Sequence, residues 1–127
     1  MMAGAYETRA SIEATIDGVL AGRPLDPIDR EQVIADCLRG AAAAKAAWPD
    51  MSSGEDICDA AARITVPTLA IAGDLDRVDT VEAARAELLP HVPHAAFKVL
   101  SGVGHLSPLE APSELAALIE RFASRLS

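Results

Sequence analysis

Two residues in the C-terminal half are of a kind and placement that can move a proton. Asp76 lies in PTLAIAGDLDRVD (Pro67 to Asp79), and His105 lies in LSGVGHLSPLEAP (Leu100 to Pro112). Each follows an apolar run that stops at glycines. A carboxylate beside an imidazole accepts the Nδ1 proton, fixes the tautomer and stabilises the imidazolium, which leaves Nε2 as a general base. Gly102 and Gly104 allow a sharp bend around His105 and keep it unshielded. Blander readings stand beside this one. Asp76 can be a turn residue, with Asp74 and Asp79 capping turns and helices, and a lone histidine can be structural. Asp74, Asp76 and Asp79 could also hold a cation, but their spacing is loose and lacks the glycine and terminal glutamate of an EF-hand loop.

The elements around the two residues decide whether they meet. ITVPTLAIAG (Ile64 to Gly73) is a continuous apolar run that fits a strand buried on both faces, as in a parallel sheet. Asp79-Thr-Val-Glu82 has the form of a capping box, and a helix follows to about Leu89, ended by Pro90 and Pro93. A second strand is expected over Ala95 to Leu100. A last amphipathic helix from about Pro112 carries Leu115, Leu118, Ile119 and Phe122. Strand, helix, strand and helix make a βαβ unit plus one helix. The crossover makes the two strands parallel, so their C-terminal ends open on one edge, about 4.8 Å apart if adjacent. Asp76 lies just beyond the first strand and His105 just beyond the second. That rim is where open α/β sheets bind ligands.

The N-terminal half predicts helices and no strand. Ile12, Ile16, Val19 and Leu20 have helical spacing over about Tyr6 to Leu20, broken by Gly22 and Pro24. Asp26 is placed to cap a second helix with Pro27 at its first position. Ile28, Val33, Ile34, Cys37 and Leu38 give that helix an apolar side, and Gly40 can end it. An alanine run from Ala41 reaches Trp48 and stops at Pro49. After the loop Pro49 to Gly54, a short helix is expected over Glu55 to Arg63. Cys37 and Cys58 sit in these helices with no CxxC or Cys/His spacing, and read as small buried hydrophobes.

Composition narrows the function. The 127 residues suffice for one modest domain, with half of them apolar but only 3% aromatic, so alanine and branched aliphatics must carry the core. A net charge of −8 argues against nucleic acid and anionic membrane surfaces as partners. MMAGAYETRA lacks the basic and apolar regions of a signal peptide, and no stretch is long and apolar enough to span a bilayer. The expectation is a soluble, cytoplasmic protein.

At GDLD and GVGHLSPLE, with the spacing between them, the chain resembles the C-terminal half of an α/β-hydrolase. VPTLAIAGDLDRVD resembles the strand and loop bearing that family's acid, VLSGVGHLSPLEAP those bearing its histidine, and SELAALIERFASRL its last helix. Residues 1–63 resemble the helical cap, and residues 64–127 the final βαβα part of the core. The resemblance implies a partial α/β-hydrolase fold, with Asp76 as triad acid, His105 as triad base and Asp74 at a variable position. It implies that Glu110 serves structure by bonding nearby backbone, and that helices between Ile12 and Trp48 line the substrate pocket. The implied activity is hydrolysis of a small-molecule ester or similar acyl bond, without cofactor or metal.

One departure is large. The family's nucleophile precedes its acid on a G-x-S-x-G elbow, and no such motif occurs here. Ser52 and Ser53 precede Gly54 without the earlier glycine, and Ser101 and Ser107 flank the histidine. Two strands also leave an apolar sheet edge unpaired. The chain is therefore expected to need a separate N-terminal hydrolase half, or self-association, to cover that edge. The other reading of the same departure is a truncated, non-catalytic interaction module.

Overall fold

The computed structural model describes residues 4–50 and 54–127, with the backbone alone at Pro49 and Asp50. Ser52 and Ser53 lie outside the described residues. The sheet has two parallel strands, β1 (Leu69–Gly73) and β2 (Ala96–Leu100), paired from Leu69 opposite Ala96 to Gly73 opposite Leu100. The first strand is shorter than the apolar run that announces it. Pro67 has no N–H for a ladder, and Ile64, Thr65 and Val66 before it are exposed. At the far end the ladder runs on through Asp74 N–H to Leu100 C=O (3.0 Å) and Leu75 N–H to Val103 C=O (2.9 Å). The loops leaving the two strands therefore stay joined beyond the sheet.

The crossover helix α5 (Val81–Leu88) starts one residue later than its capping-box pattern predicts. Thr80, not Asp79, is the N-cap, and its hydroxyl accepts from Ala83 N–H at 3.2 Å. Asp79 is drawn away because its own N–H is bound to the Asp76 carboxylate. After β2 come a one-turn helix, α6 (Ser107–Glu110), and the last helix, α7 (Pro112–Ser124). Leu115 and Leu118 of α7 pack with Ile71 on a small core of Leu100, Val103 and Ala111, while Ile119 stays half exposed.

The N-terminal region is helical, as expected, but its first helix changes pitch. Helix α1 (Arg9–Thr15) runs directly into a single π-turn, Ile16–Leu20, closed by Ala21 N–H on Ile16 C=O at 2.8 Å. Ile12, Ile16 and Leu20 remain on one side and are buried, and Val19 is turned out. Helix α2 (Pro27–Arg39) begins as its sequence predicts, with Asp26 accepting from Ile28 N–H at 2.8 Å and Pro27 in the first turn. Its apolar side is narrower than expected. Ile34 is fully buried, but Ile28 is 80% exposed and Leu38 also faces out. Helix α3 (Ala42–Asp50) extends past Pro49, the residue expected to stop it. Helix α4 (Cys58–Ala61) is only the middle of the predicted Glu55–Arg63 helix, because Asp56 takes the Cys58 N–H and holds the preceding residues in a turn. Cys37 and Cys58 are free thiols.

The larger core joins the two halves of the chain. Ile12, Ile16, Leu20, Leu25 and Ile34 pack with Val78 and Leu106 of the loops that follow the strands and with Leu109 of α6. No helix among the described residues is long and apolar enough to cross a membrane.

Candidate active site

Asp76 and His105 meet at the C-terminal rim of the parallel pair. The Asp76 carboxylate divides its two oxygens. Oδ1 accepts from the N–H groups of Val78 (2.8 Å) and Asp79 (2.9 Å), which hold the side chain across its own loop. Oδ2 faces His105 Nδ1 at 2.9 Å. Burial pushes the Asp76 carboxyl up, but the Asp79 N–H, the His105 ring and the Val78 N–H outweigh it and hold the pKa below the ordinary carboxylate value. A carboxylate can only accept, so a neutral ring bonded this way holds its proton on Nδ1 and presents its lone pair at Nε2. The acid side chain is only 9% exposed and the imidazole 32%, so the pair is half-sheltered with the ring on the open side.

Of the two neighbouring aspartates, one is committed elsewhere. Asp74 is turned to the histidine loop, where it accepts from Gly102 N–H at 2.6 Å. Gly102 has φ of +69°, a conformation that glycine adopts without strain. A Cβ on Gly104 would stand 2.4 Å from Gly22 N and 2.5 Å from Leu20 O, so only glycine lets the two backbones approach this closely. Asp79 puts a carboxylate oxygen 3.9 Å from His105 Nδ1. Asp76, Asp79 and His105 thus offer three ligand atoms within 4.8 Å of one another, two of them already joined by a hydrogen bond. The aspartate cluster considered from sequence loses Asp74 and gains the histidine.

Glu110 is buried, and its carboxylate accepts four backbone N–H groups. Gly104 (2.9 Å) and Leu106 (2.9 Å) are the nearby ones expected from sequence. Gly22 (2.7 Å) and Arg23 (3.1 Å) come from the N-terminal half, and no local pattern pointed to them. Leu20 belongs with them, since its C=O accepts the His105 N–H at 2.7 Å. The only mark of this segment in the sequence is a glycine before an arginine and a proline, which reads simply as a helix break.

A groove of about 950 Å³ opens beside the pair. Asp76, His105 and Ser107 contribute to its wall, with Ala72 of β1, Phe97 of β2 and Leu88 of α5. Among the described residues none between Ile12 and Trp48 lines it, contrary to expectation. Those helices spend their apolar side on each other and on the back of the histidine loop. The N-terminal contribution comes instead from Gly54 to Ala61.

The sequence matches no protein-family model and no curated protein. Among solved structures the chain is similar to a membrane phospholipase A described as a novel bacterial virulence factor. The TM-score is 0.75 and the identity 19%, over 94% of this chain and 39% of that one. It is similar to a serine hydrolase involved in carbazole degradation (TM-score 0.74, 22% identity, 92% of this chain and 47% of that one). It is also similar to a thermophilic esterase from Thermogutta terrifontis (TM-score 0.65, 24% identity, 89% and 39%). The chain has part of an α/β-hydrolase fold. It spans less than half the length of these α/β-hydrolases, and at such identities the likeness is one of architecture.

Proposed function

We propose that this chain supplies the acid and base of a serine-type α/β-hydrolase that cleaves an ester or similar acyl bond of a small molecule. The observation that carries this reading is the 2.9 Å bond between Asp76 Oδ2 and His105 Nδ1 at the C-terminal rim of the strands. In the reaction His105 Nε2 takes the proton of a serine hydroxyl as its oxygen attacks the acyl carbon. The imidazolium, stabilised by Asp76, returns that proton to the leaving oxygen, and a water then repeats the cycle to release the acid. The serine and the oxyanion donors belong to a segment outside these residues, since no G-x-S-x-G occurs in the chain. In this reading residues 1–63 act as the cap and residues 64–127 as the last part of the core. An N-terminal hydrolase half, or a second copy, covers the free edge of β1. The reaction is cytoplasmic and consumes only water besides substrate.

The test is capture of the natural protein by an antibody against α7, followed by intact mass and hydrolysis of short-chain aryl esters. Expected are a mass about double 13.2 kDa, or a tightly held second chain, and activity that Asp76→Asn and His105→Ala reduce by about 10³-fold or more. Hydrolysis indifferent to both substitutions in a folded protein sinks the assignment. The unpaired outer edge of β1 favours a second reading, an interaction module that pairs there without chemistry. A captured complex in which no acyl substrate is cleaved supports that reading over the first.

A further inference from the structure

The histidine loop, residues 101–106, is held from behind by a segment some eighty residues earlier in the chain. Arg23 Nε donates to Gly102 C=O at 2.9 Å, and Nη2 to Ser101 C=O at 2.8 Å. Its remaining nitrogen, Nη1, pairs with Glu114 of α7 at 3.1 Å. The guanidinium is a rigid planar fork, so two donors on consecutive carbonyls set the direction of that backbone and not merely its distance. Asp74 grips the same turn from the other side, through the Gly102 N–H.

The backbone around Arg23 engages the same loop. Gly22 and Arg23 N–H share Glu110 Oε1 with Gly104 N–H, and Leu20 C=O takes the N–H of His105 itself. The π-turn Ile16–Leu20 ends at that carbonyl. Gly18, inside the turn, accepts from Arg77, the residue after Asp76, at 2.6 Å. Residues Gly18 to Arg23 therefore touch both the acid loop and the histidine loop, and they are continuous with α1 and the larger core.

We infer that Arg23 is a positioning residue for His105: its fork on Ser101 and Gly102 ties the seating of the N-terminal helices to the aim of the imidazole at Asp76. The inference rests on the reading of His105 as the base. The Arg23 side chain bonds to Ser101, Gly102 and Glu114, not to the imidazole. It acts through the loop, so displacement of the Gly18–Arg23 segment releases the Nδ1 bond and lets the ring change tautomer. A cap that shifts on substrate binding would by this route switch the base on or off.

The test is the histidine ¹⁵N spectrum of the full chain, with His105 assigned by His105→Gln against His91 and His94, the other two histidines. The wild type is expected to show His105 as the Nδ1–H tautomer. Arg23→Met is expected to give a folded protein in which His105 is a mixture of tautomers, and Arg23→Lys an intermediate spectrum, because an ammonium bonds without the fork geometry. A folded Arg23→Met protein whose His105 signals match the wild type overturns the inference, whatever its melting temperature. If Arg23→Met does not fold, Arg23→Lys decides: altered His105 signals support the inference and unaltered ones overturn it. A wild type without the Nδ1–H tautomer removes the acid–base pair itself and the inference with it. That failure is distinct from one confined to the Arg23 variants.

Discussion

Glu110→Gln is the substitution for which the structure gives the clearest magnitude. The Glu110 carboxylate takes three N–H groups on Oε1 (Gly22, Arg23 and Gly104) and one on Oε2 (Leu106). Glutamine keeps the shape but turns one of these oxygens into a donor. In the better orientation its carbonyl keeps the three donors and its amide nitrogen faces Leu106 N–H. One charge-assisted bond is lost, about 1.5–3 kcal/mol, and one part-buried N–H goes unsatisfied, about 1–3 kcal/mol. The three surviving bonds weaken because their acceptor is neutral, while relief from burying a charge offsets part of the loss. The expected net cost is about 3–5 kcal/mol, a large share of the roughly 5–15 kcal/mol that holds a domain folded. In urea, with a slope near 2 kcal/mol per M, the midpoint should fall by about 2 M. Glu120→Gln, on the exposed side of α7, is the control and should stay within about 0.5 kcal/mol of wild type. A Glu110→Gln midpoint within about 0.5 M of wild type, at equal slope, would refute the view that this carboxylate joins the two halves of the chain.

Other substitutions probe the same framework. Gly104→Ala places a Cβ against two backbone atoms, Gly22 N and Leu20 O, that have no rotamer to change. It should cost about 3 kcal/mol of unfolding free energy in urea and scatter the His105 tautomer, and a loss under about 1 kcal/mol would mean the loop has room to spare. Asp76 has its folded pKa depressed, so its carboxylate contributes stability above the unfolded value near pH 4 and loses it as pH falls through the lower folded value. Wild-type stability should therefore drop toward that of Asp76→Asn below about pH 4. Stability curves that stay parallel down to about pH 2 would show that the folded protein does not favour this carboxylate's charged form. Above that range Asp76→Asn should also change the His105 ¹⁵N pattern, because an amide oriented to accept from Val78 and Asp79 turns its NH₂ toward the ring and favours a proton on Nε2.

The parts of the fold legible in the sequence are those with a local cause. An apolar run ending in glycine, the Asp79–Glu82 pattern and Asp26-Pro27 each act within a few residues, and the strands, α5 (one residue late) and the start of α2 appear where such signals lie. The rim position of Asp76 and His105 followed from parallel topology, which needs only the order of the elements. What sequence reasoning missed has no local cause. Ile28 belongs to an apolar stripe by spacing yet is 80% exposed, because α2 buries only the part of the stripe that faces α1. The start of α4 moved because Asp56 takes the Cys58 N–H, not because of periodicity. The part played by Leu20, Gly22 and Arg23 exists only once the chain has returned some eighty residues later. Glu110 was expected to bond backbone, but half of its partners come from the other end of the chain.

Less than half of an α/β-hydrolase-like architecture nevertheless contains a complete acid–base contact, and the reason lies in where its supports originate. The acid is aimed by N–H groups two and three residues beyond it. The histidine loop is held by Asp74, Glu110 and Arg23 and by the Leu20 carbonyl, all within this chain. Strands added beyond β1 would extend the sheet and bury its outer edge, and none of the bonds that orient Asp76 and His105 has its partner there. The division of labour is therefore uneven. In the proposed reaction these residues supply the Asp76–His105 contact that moves the proton, and the serine that gives it up comes from outside them. On that reading the pair is oriented without the missing strands, and the proposed role of Arg23 ties its aim to the seating of the N-terminal helices.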